Sequence, residues 1–179
     1  MKSWIPFVKT APSVAVIRLA GMISASGRAT LNDANLAPVI EKAFSKGKPD
    51  AVVLEINSPG GSPVQSSLIG ARIRRLAEEK KIPVIAFVED VAASGGYWIA
   101  TECDRLLASK QTITGSIGVF GLLPNLRDIA SGYGMYLDAV KTHKHADIMS
   151  VSRPKSPEEL AVIQEYVQSL YAKFVQLVA

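Results

Sequence analysis

A chain of 179 residues, 48% apolar and 20% charged, is long enough to bury one core and too evenly mixed to be fibrous or disordered. The net charge of +4 is mild, and the cations are scattered except at Arg72, Arg74, Arg75, Lys80 and Lys81. These lie on the solvent side of an expected helix, so no nucleic-acid partner is expected. Cys103 is the single cysteine and excludes an internal disulfide. Lys2 and Lys9 bracket only a short apolar piece and Arg18 interrupts the next, so no signal-peptide core is read there. The longest uncharged run, residues 111–126, is broken by three glycines and Pro124, too short and too interrupted to span a bilayer. The expected location is cytoplasmic or peripheral to a membrane.

In chain order, Val14, Ala15, Val16 and Ile17 read as a short buried strand over 13–19, and 21–30 as a loop of small residues. Asn32 or Asp33 can cap a helix in which Leu36, Val39, Ile40 and Phe44 recur at helical spacing, ended by Gly47 and Pro49. Residues 51–56 form a nearly continuous apolar run, as expected of a strand covered on both faces. Residues 57–62 break it, and Val64, Leu68, Ile69, Ile73 and Leu76 mark the inner stripe of a long helix. Residues 83–88 are a third strand. This alternation predicts right-handed parallel crossovers and an α/β layered domain. Further short strands are expected at 105–108 and 117–120, separated by Thr114-Gly115-Ser116. Pro124 opens a helix towards Ser131, residues 135–140 read as a strand, and a polar loop runs over 141–157. The last helix starts near Ser156-Pro157-Glu158-Glu159 and carries one apolar seam through Leu160, Ile163, Val167, Leu170, Phe174 and Leu177. No repeat or linker divides residues 1–179, so a single domain is expected.

The chemistry concentrates where the third strand gives way to Tyr97-Trp98-Ile99-Ala100, the start of a buried helix. Ser94 sits at that junction, among the unpaired N–H groups and positive dipole end of a helix, between the small residues Ala92, Ala93, Gly95 and Gly96. It reads either as a nucleophile or as a plain helix cap, a position serine favours. A second small-residue turn, Ser58-Pro59-Gly60-Gly61, falls at another strand end, the side of an open parallel sheet where ligands gather. Backbone N–H groups of Gly61 and Gly95 could both point at an oxyanion. Read singly, each turn is a tight connection; together they are specific.

Asn57-Ser58-Pro59-Gly60-Gly61, then residues 92–98, then Thr114-Gly115-Ser116-Ile117-Gly118-Val119, closely resemble the signal peptide peptidase A family of serine–lysine peptidases. The likeness extends to Asp147-Ile148-Met149-Ser150, Arg153 and the last helix, in the same order. It implies an α/β fold of the Clp-protease/crotonase type, a mostly parallel sheet flanked by helices. It also implies hydrolysis of signal peptides or other hydrophobic segments, no cofactor, homo-oligomerisation and association with a membrane. Ser94 is then the nucleophile, Gly61 and Gly95 the oxyanion donors, and Ser116 the hydroxyl that orients the base. A membrane anchor and a glycine-containing segment beyond the last helix are common in the family, so this chain reads as a fragment or a short subtype.

The departure from the family concerns the base. A lysine is expected immediately ahead of the residue matching Asp147, and that position is Ala146; Lys144 lies two residues earlier. Lys144 substitutes for it, another chain supplies it, or this form is an inactive peptide-binding or assembly module. His143 and His145 beside Asp147 read as a solvated loop, and no metal is expected. A crotonase-like enzyme acting on a coenzyme A thioester would need a carboxylate, for which only Glu89 and Asp90 are near.

Overall fold

A computed structural model describes residues 12–27 and 30–179; the reading of Lys2 to Lys9 lies outside them. Two compact units are present, one reaching to Ile117 and taking in Leu177–Ala179, the other Gly118–Gln176.

The first unit alternates strand and helix: β1 (Val14–Ala20), α1 (Asp33–Ser45), β2 (Ala51–Ser58), α2 (Pro63–Lys80), β3 (Val84–Ala93), α3 (Gly95–Thr101), β4 (Arg105–Ala108) and β5 (Ile113–Gly115). All the strand pairings are parallel, in the order β1-β2-β3-β4, so each helix is the crossover between neighbouring strands. β3 is long enough to take β4 along Ile85–Val88 and β5 along Val91–Ala93. It therefore runs five residues past the expected end at 88, through the exposed Glu89-Asp90 pair. That extension brings residues 113–116 beside the turn that follows β3.

The core joins Ile17, Leu19, Val52, Leu54, Ile56, Val84 and Ala86 of one sheet face to Leu36, Ile40, Phe44, Ile69 and Ile73 of the helices. Ile40, Ile69 and Ile73 are fully buried, each contributing about 1.5–3 kcal/mol relative to exposure. The other sheet face is not equally covered: β2 alternates buried with half-buried residues, while Val16 is 56% and Phe87 46% exposed. The continuous apolar run in β2 thus overstates its covering. The stripe of α2 is also shifted from expectation. Ser66, Ile69, Gly70, Ile73, Leu76 and Ala77 face inward, while Val64 and Leu68 are exposed. Small residues take the inward positions because α3 and the residues after it press closely there: a Cβ on Gly70 would lie 2.9 Å from Glu102 Cγ. In α1 Val39 is likewise exposed, and Asn32 is the cap, its Oδ1 accepting from the Asn35 N–H at 2.9 Å. The arginines of α2 are committed to acids: Arg72 holds Asp33 and Glu41, Arg74 holds Asp104, and Arg75 holds Glu79.

Residues 117–120 form no strand. β5 ends at Gly115 opposite Ala93, the last residue of β3, so nothing remains on that strand for them to pair with.

In the second unit α4 spans Arg127–Gly132, three residues later than Pro124 suggests, with the Asn125 side chain accepting from the Arg127 N–H at 3.2 Å. Residues 135–140 are not a strand either. Their apolar side chains Tyr136, Leu137 and Val140 are exposed, so the apolar run there builds no ladder. The last helix, α5 (Pro157–Val178), opens with a reciprocal cap. Ser156 Oγ accepts from the Glu159 N–H at 3.2 Å, and Glu159 Oε2 accepts from the Ser156 N–H at 2.9 Å. Of the expected seam Phe174 is buried, whereas Leu160 is exposed.

Arg153 ties the loop before α5 to that cap. Its guanidinium donates to both carboxylate oxygens of Asp147, at 2.7 and 2.8 Å, and to both of Glu159, at 2.6 and 2.8 Å. Lys141 adds a bond to Asp147 at 2.7 Å. The Arg153 guanidinium and the Ser156 N–H hold the Glu159 carboxyl down to about 2, and Arg153 with Lys141 holds Asp147 well below the carboxylate range. Both shifts are depressions, so the stabilisation is complete above the unfolded carboxylate values of roughly 4. It is lost as pH falls from there through the folded values. Arg153→Met should lower the unfolding midpoint near neutral pH, and its gap from wild type should close as pH falls from roughly 4 to 2. A gap that stays constant through that range would remove the clamp from the account.

Candidate active site

Ser94 is the hinge between β3 and α3. Its backbone has φ 51° and ψ −120°, a conformation disfavoured for a residue with a side chain, costing about 1–3 kcal/mol. Strain of this kind, in a sharp strand-to-helix turn, is how a serine Oγ is lifted clear of its neighbours. The turn is held on both sides: the Ser94 N–H donates to Gly115 O at 2.8 Å, and Ser94 O accepts from the Trp98 N–H at 2.9 Å. Ser94 stands at the cap position of α3, but its side chain makes no capping bond. The plain-cap reading therefore does not account for the hydroxyl. Ser116, directly after the Gly115 acceptor, also has a positive φ of 53°.

The two glycine turns meet here. A Cβ on Gly60 would lie 2.6 Å from Ala93 O, 2.6 Å from Gly95 N and 2.8 Å from Ser94 Cβ. One on Gly96 would lie 2.6 Å from Ser58 O, and one on Gly95 2.2 Å from Ser66 Oγ. Only glycine permits this approach. Ile23 secures the outer side. Its N–H donates to Gly60 O at 2.9 Å and its C=O accepts from the Ser62 N–H at 2.8 Å. In such a parallel bridge the bonds run to the residues flanking Gly61, so Gly61's own N–H is turned to the side opposite Ile23. Ile23, Ser58 and Ser66 were not singled out from sequence; small or apolar residues near a turn carry no signal beyond the turn itself.

Ser94, Ser116, Gly61 and Gly95 thus share one unit, built at the carboxyl ends of β2, β3 and β5. Glu89 and Asp90, the carboxylates nearest Ser94 in sequence, are engaged elsewhere: Glu89 with Arg18 at 3.4 Å, Asp90 accepting from Asn57 Nδ2 at 3.0 Å. Burial pushes the Cys103 thiol up to about 12, which disfavours its thiolate.

Lys144 belongs to the second unit. Its side chain is 63% exposed and ion-paired with Glu158, whose carboxyl the lysine holds below its usual range. Ala146 is exposed in the same turn, which is kept in register by the Ala146 N–H to His143 O bond at 3.2 Å and the Ser150 N–H to Asp147 O bond at 2.8 Å. His145 Nδ1 is buried with no hydrogen-bond partner among the described residues, and His143 Nδ1 lies 3.2 Å from Thr142 Oγ1. Among the described residues no three His, Cys, Asp or Glu side chains are grouped to hold a metal.

A strained serine thus stands between two glycine turns, at the carboxyl ends of a parallel sheet flanked by helices. The family model of peptidase family S49 matches residues 76–179, and the chain belongs to that family. It is 38% identical over 168 residues to a Na(+)/H(+) antiporter NhaA of Brucella melitensis biotype 1, covering 92% of this chain and 23% of that protein. It is 38% identical over 149 residues to Protease 4 of Salmonella typhi, covering 83% of this chain and 22% of that protein. The chain therefore spans less than a quarter of the length of these relatives. Among solved structures it is similar to a membrane-bound stomatin-specific protease, with a TM-score of 0.50 and 17% identity, covering 96% of this chain and 72% of that one. That likeness concerns the fold. No helix among the described residues is long and apolar enough to cross a membrane.

Proposed function

We propose that this chain hydrolyses peptide bonds through Ser94, with signal peptides or other hydrophobic segments as substrates. The observation that carries the reading is the Ser94 hydroxyl, which makes no cap bond and stands on a strained backbone packed against Gly60. In the reaction Ser94 Oγ attacks the scissile carbonyl carbon while a neutral lysine, supplied from another chain because Ala146 stands at the family position, takes its proton. The oxyanion is met by the N–H groups of Gly61 and Gly95, the amine leaves with the proton, and water then hydrolyses the acyl-enzyme. Ser116 orients the lysine. No cofactor enters any of these steps. A fluorophosphonate probe should label the protein, with the label mapped by mass spectrometry to the peptide containing Ser94. Absence of label, or label elsewhere, sinks the reading.

A second reading keeps the groove without turnover, as a peptide-binding or assembly module. Ala146 at the expected lysine position and the solvent-facing Lys144–Glu158 pair favour it. Peptide affinity with no hydrolysis at any protein concentration would select it.

Assembly into a homo-oligomer is part of the first reading. On α5 Leu160, Val162, Tyr166 and Tyr171 are 42–61% exposed, more apolar surface than a helix facing water needs. Sedimentation should show a concentration-dependent oligomer; a monomer at every concentration counts against it.

A further inference from the structure

Ser58 is the last residue of β2 and is 1% exposed. A hydroxyl buried that completely needs a partner, and its Oγ accepts from the Gly60 N–H at 3.2 Å, two residues along. The strand shifts register between Ile56 and Ser58, which sets Ser58 opposite Ala92, two residues before the nucleophile. The turn that follows is Pro59, fixed in φ by its ring, and then two glycines at φ 94° and 144°. Glycines sample many conformations, so the direction of the Gly61 N–H depends on what restrains its neighbours. Ile23 bonds on both sides of Gly61, at Gly60 O and at the Ser62 N–H, and the Ser58 hydroxyl adds the restraint one peptide earlier, at the Gly60 N–H.

We propose that Ser58 is a positioning residue, whose buried hydroxyl fixes the Gly60-Gly61 turn so that the Gly61 N–H is aimed where the oxyanion develops. This rests on Ser94 being the nucleophile. Ser58 touches no reacting atom and acts only through the backbone it holds. Without the hydroxyl the Gly60 N–H is left unpaired in a buried turn, and the Ile23 bridge alone holds the two glycines in line. The ground-state substrate makes little use of that donor, so the effect falls on the chemical step and not on binding.

Measured on the full chain, loss of a whole oxyanion donor costs about a hundred- to a thousandfold, and misaiming one should cost somewhat less. Ser58→Ala should slow fluorophosphonate labelling of Ser94, and kcat for a peptide ester, by about ten- to a hundredfold, with KM within about twofold of wild type. Ser58→Thr keeps the hydroxyl and should recover most of the rate. Where Ser58→Ala does not fold, Ser58→Cys keeps the shape with a weak acceptor and should show an intermediate loss. A Ser58→Ala or Ser58→Cys protein that labels at the wild-type rate overturns the proposal, as does a loss confined to KM or a Ser58→Thr no faster than Ser58→Ala. If the wild type itself takes no label at Ser94, the hydrolase reading falls and this proposal with it. A labelling wild type beside an equally fast Ser58→Ala removes this proposal alone.

Discussion

Ser94→Ala should abolish probe labelling and peptide turnover, a loss on the order of a thousandfold or more, while leaving the unfolding midpoint close to wild type. Both halves follow from the turn. The hydroxyl is not used as a helix cap, so its removal costs α3 nothing, and alanine at φ 51° carries the same backbone strain that serine does. Ser94→Gly should be equally inactive yet gain stability, because relief of about 1–3 kcal/mol of strain exceeds the roughly 0.5–1 kcal/mol that glycine loses in backbone entropy. An Ser94→Ala protein that still turns over peptide would move the nucleophile elsewhere. One that fails to fold would make the serine structural.

The second large effect concerns the base. Ala146→Lys should raise the rate of Ser94 acylation by about a hundred- to ten-thousandfold, the usual contribution of general-base assistance, and Lys144→Ala should be nearly silent. A lysine acts as a base only when burial or a positive neighbour frees its amine of a proton. Lys144 has neither: it stands 63% exposed beside the Glu158 carboxylate. Ala146, in contrast, precedes the Asp147 that Arg153 and Lys141 pin in place, so a side chain added there starts from a fixed backbone. In the rescued protein the rate should rise with pH through an apparent pKa well below the free lysine value of roughly 10.4. An inactive Lys144→Ala combined with no gain from Ala146→Lys would assign the base to Lys144. A wild type already at full rate with both variants silent would mean that the lysine comes from another chain.

The alternation of strand and helix over the first hundred residues was legible because each crossover carries its own signals, apolar spacing within and Gly or Pro at the ends. The cap of α5 was legible for the same local reason. What sequence could not reveal was pairing. Residues 117–120 and 135–140 have the apolar content of strands but form none, whereas Glu89-Asp90, past the expected strand end at 88, lies within β3. At the site, small residues announced the turns at 57–61 and 92–96, and the resemblance supplied their roles. The positive φ of Ser94, the burial of Ser58 and the engagement of Lys144 by Glu158 depend on contacts 2 to 21 residues away along the chain. Composition and spacing do not encode those contacts.

The bond from the Ser94 N–H to Gly115 O bears on when, during folding, the proposed nucleophile takes its shape. A chain emerging in order makes β1, β2, β3 and α3 before residue 115 exists, and until β5 docks the serine lacks one of the two backbone bonds that hold its costly conformation. An unrestrained Ser94 relaxes into an ordinary backbone state with its hydroxyl aimed elsewhere. The turn is thus complete only once β5 has docked, so under the proposed function a nascent or partly unfolded copy lacks the backbone state that cleavage requires.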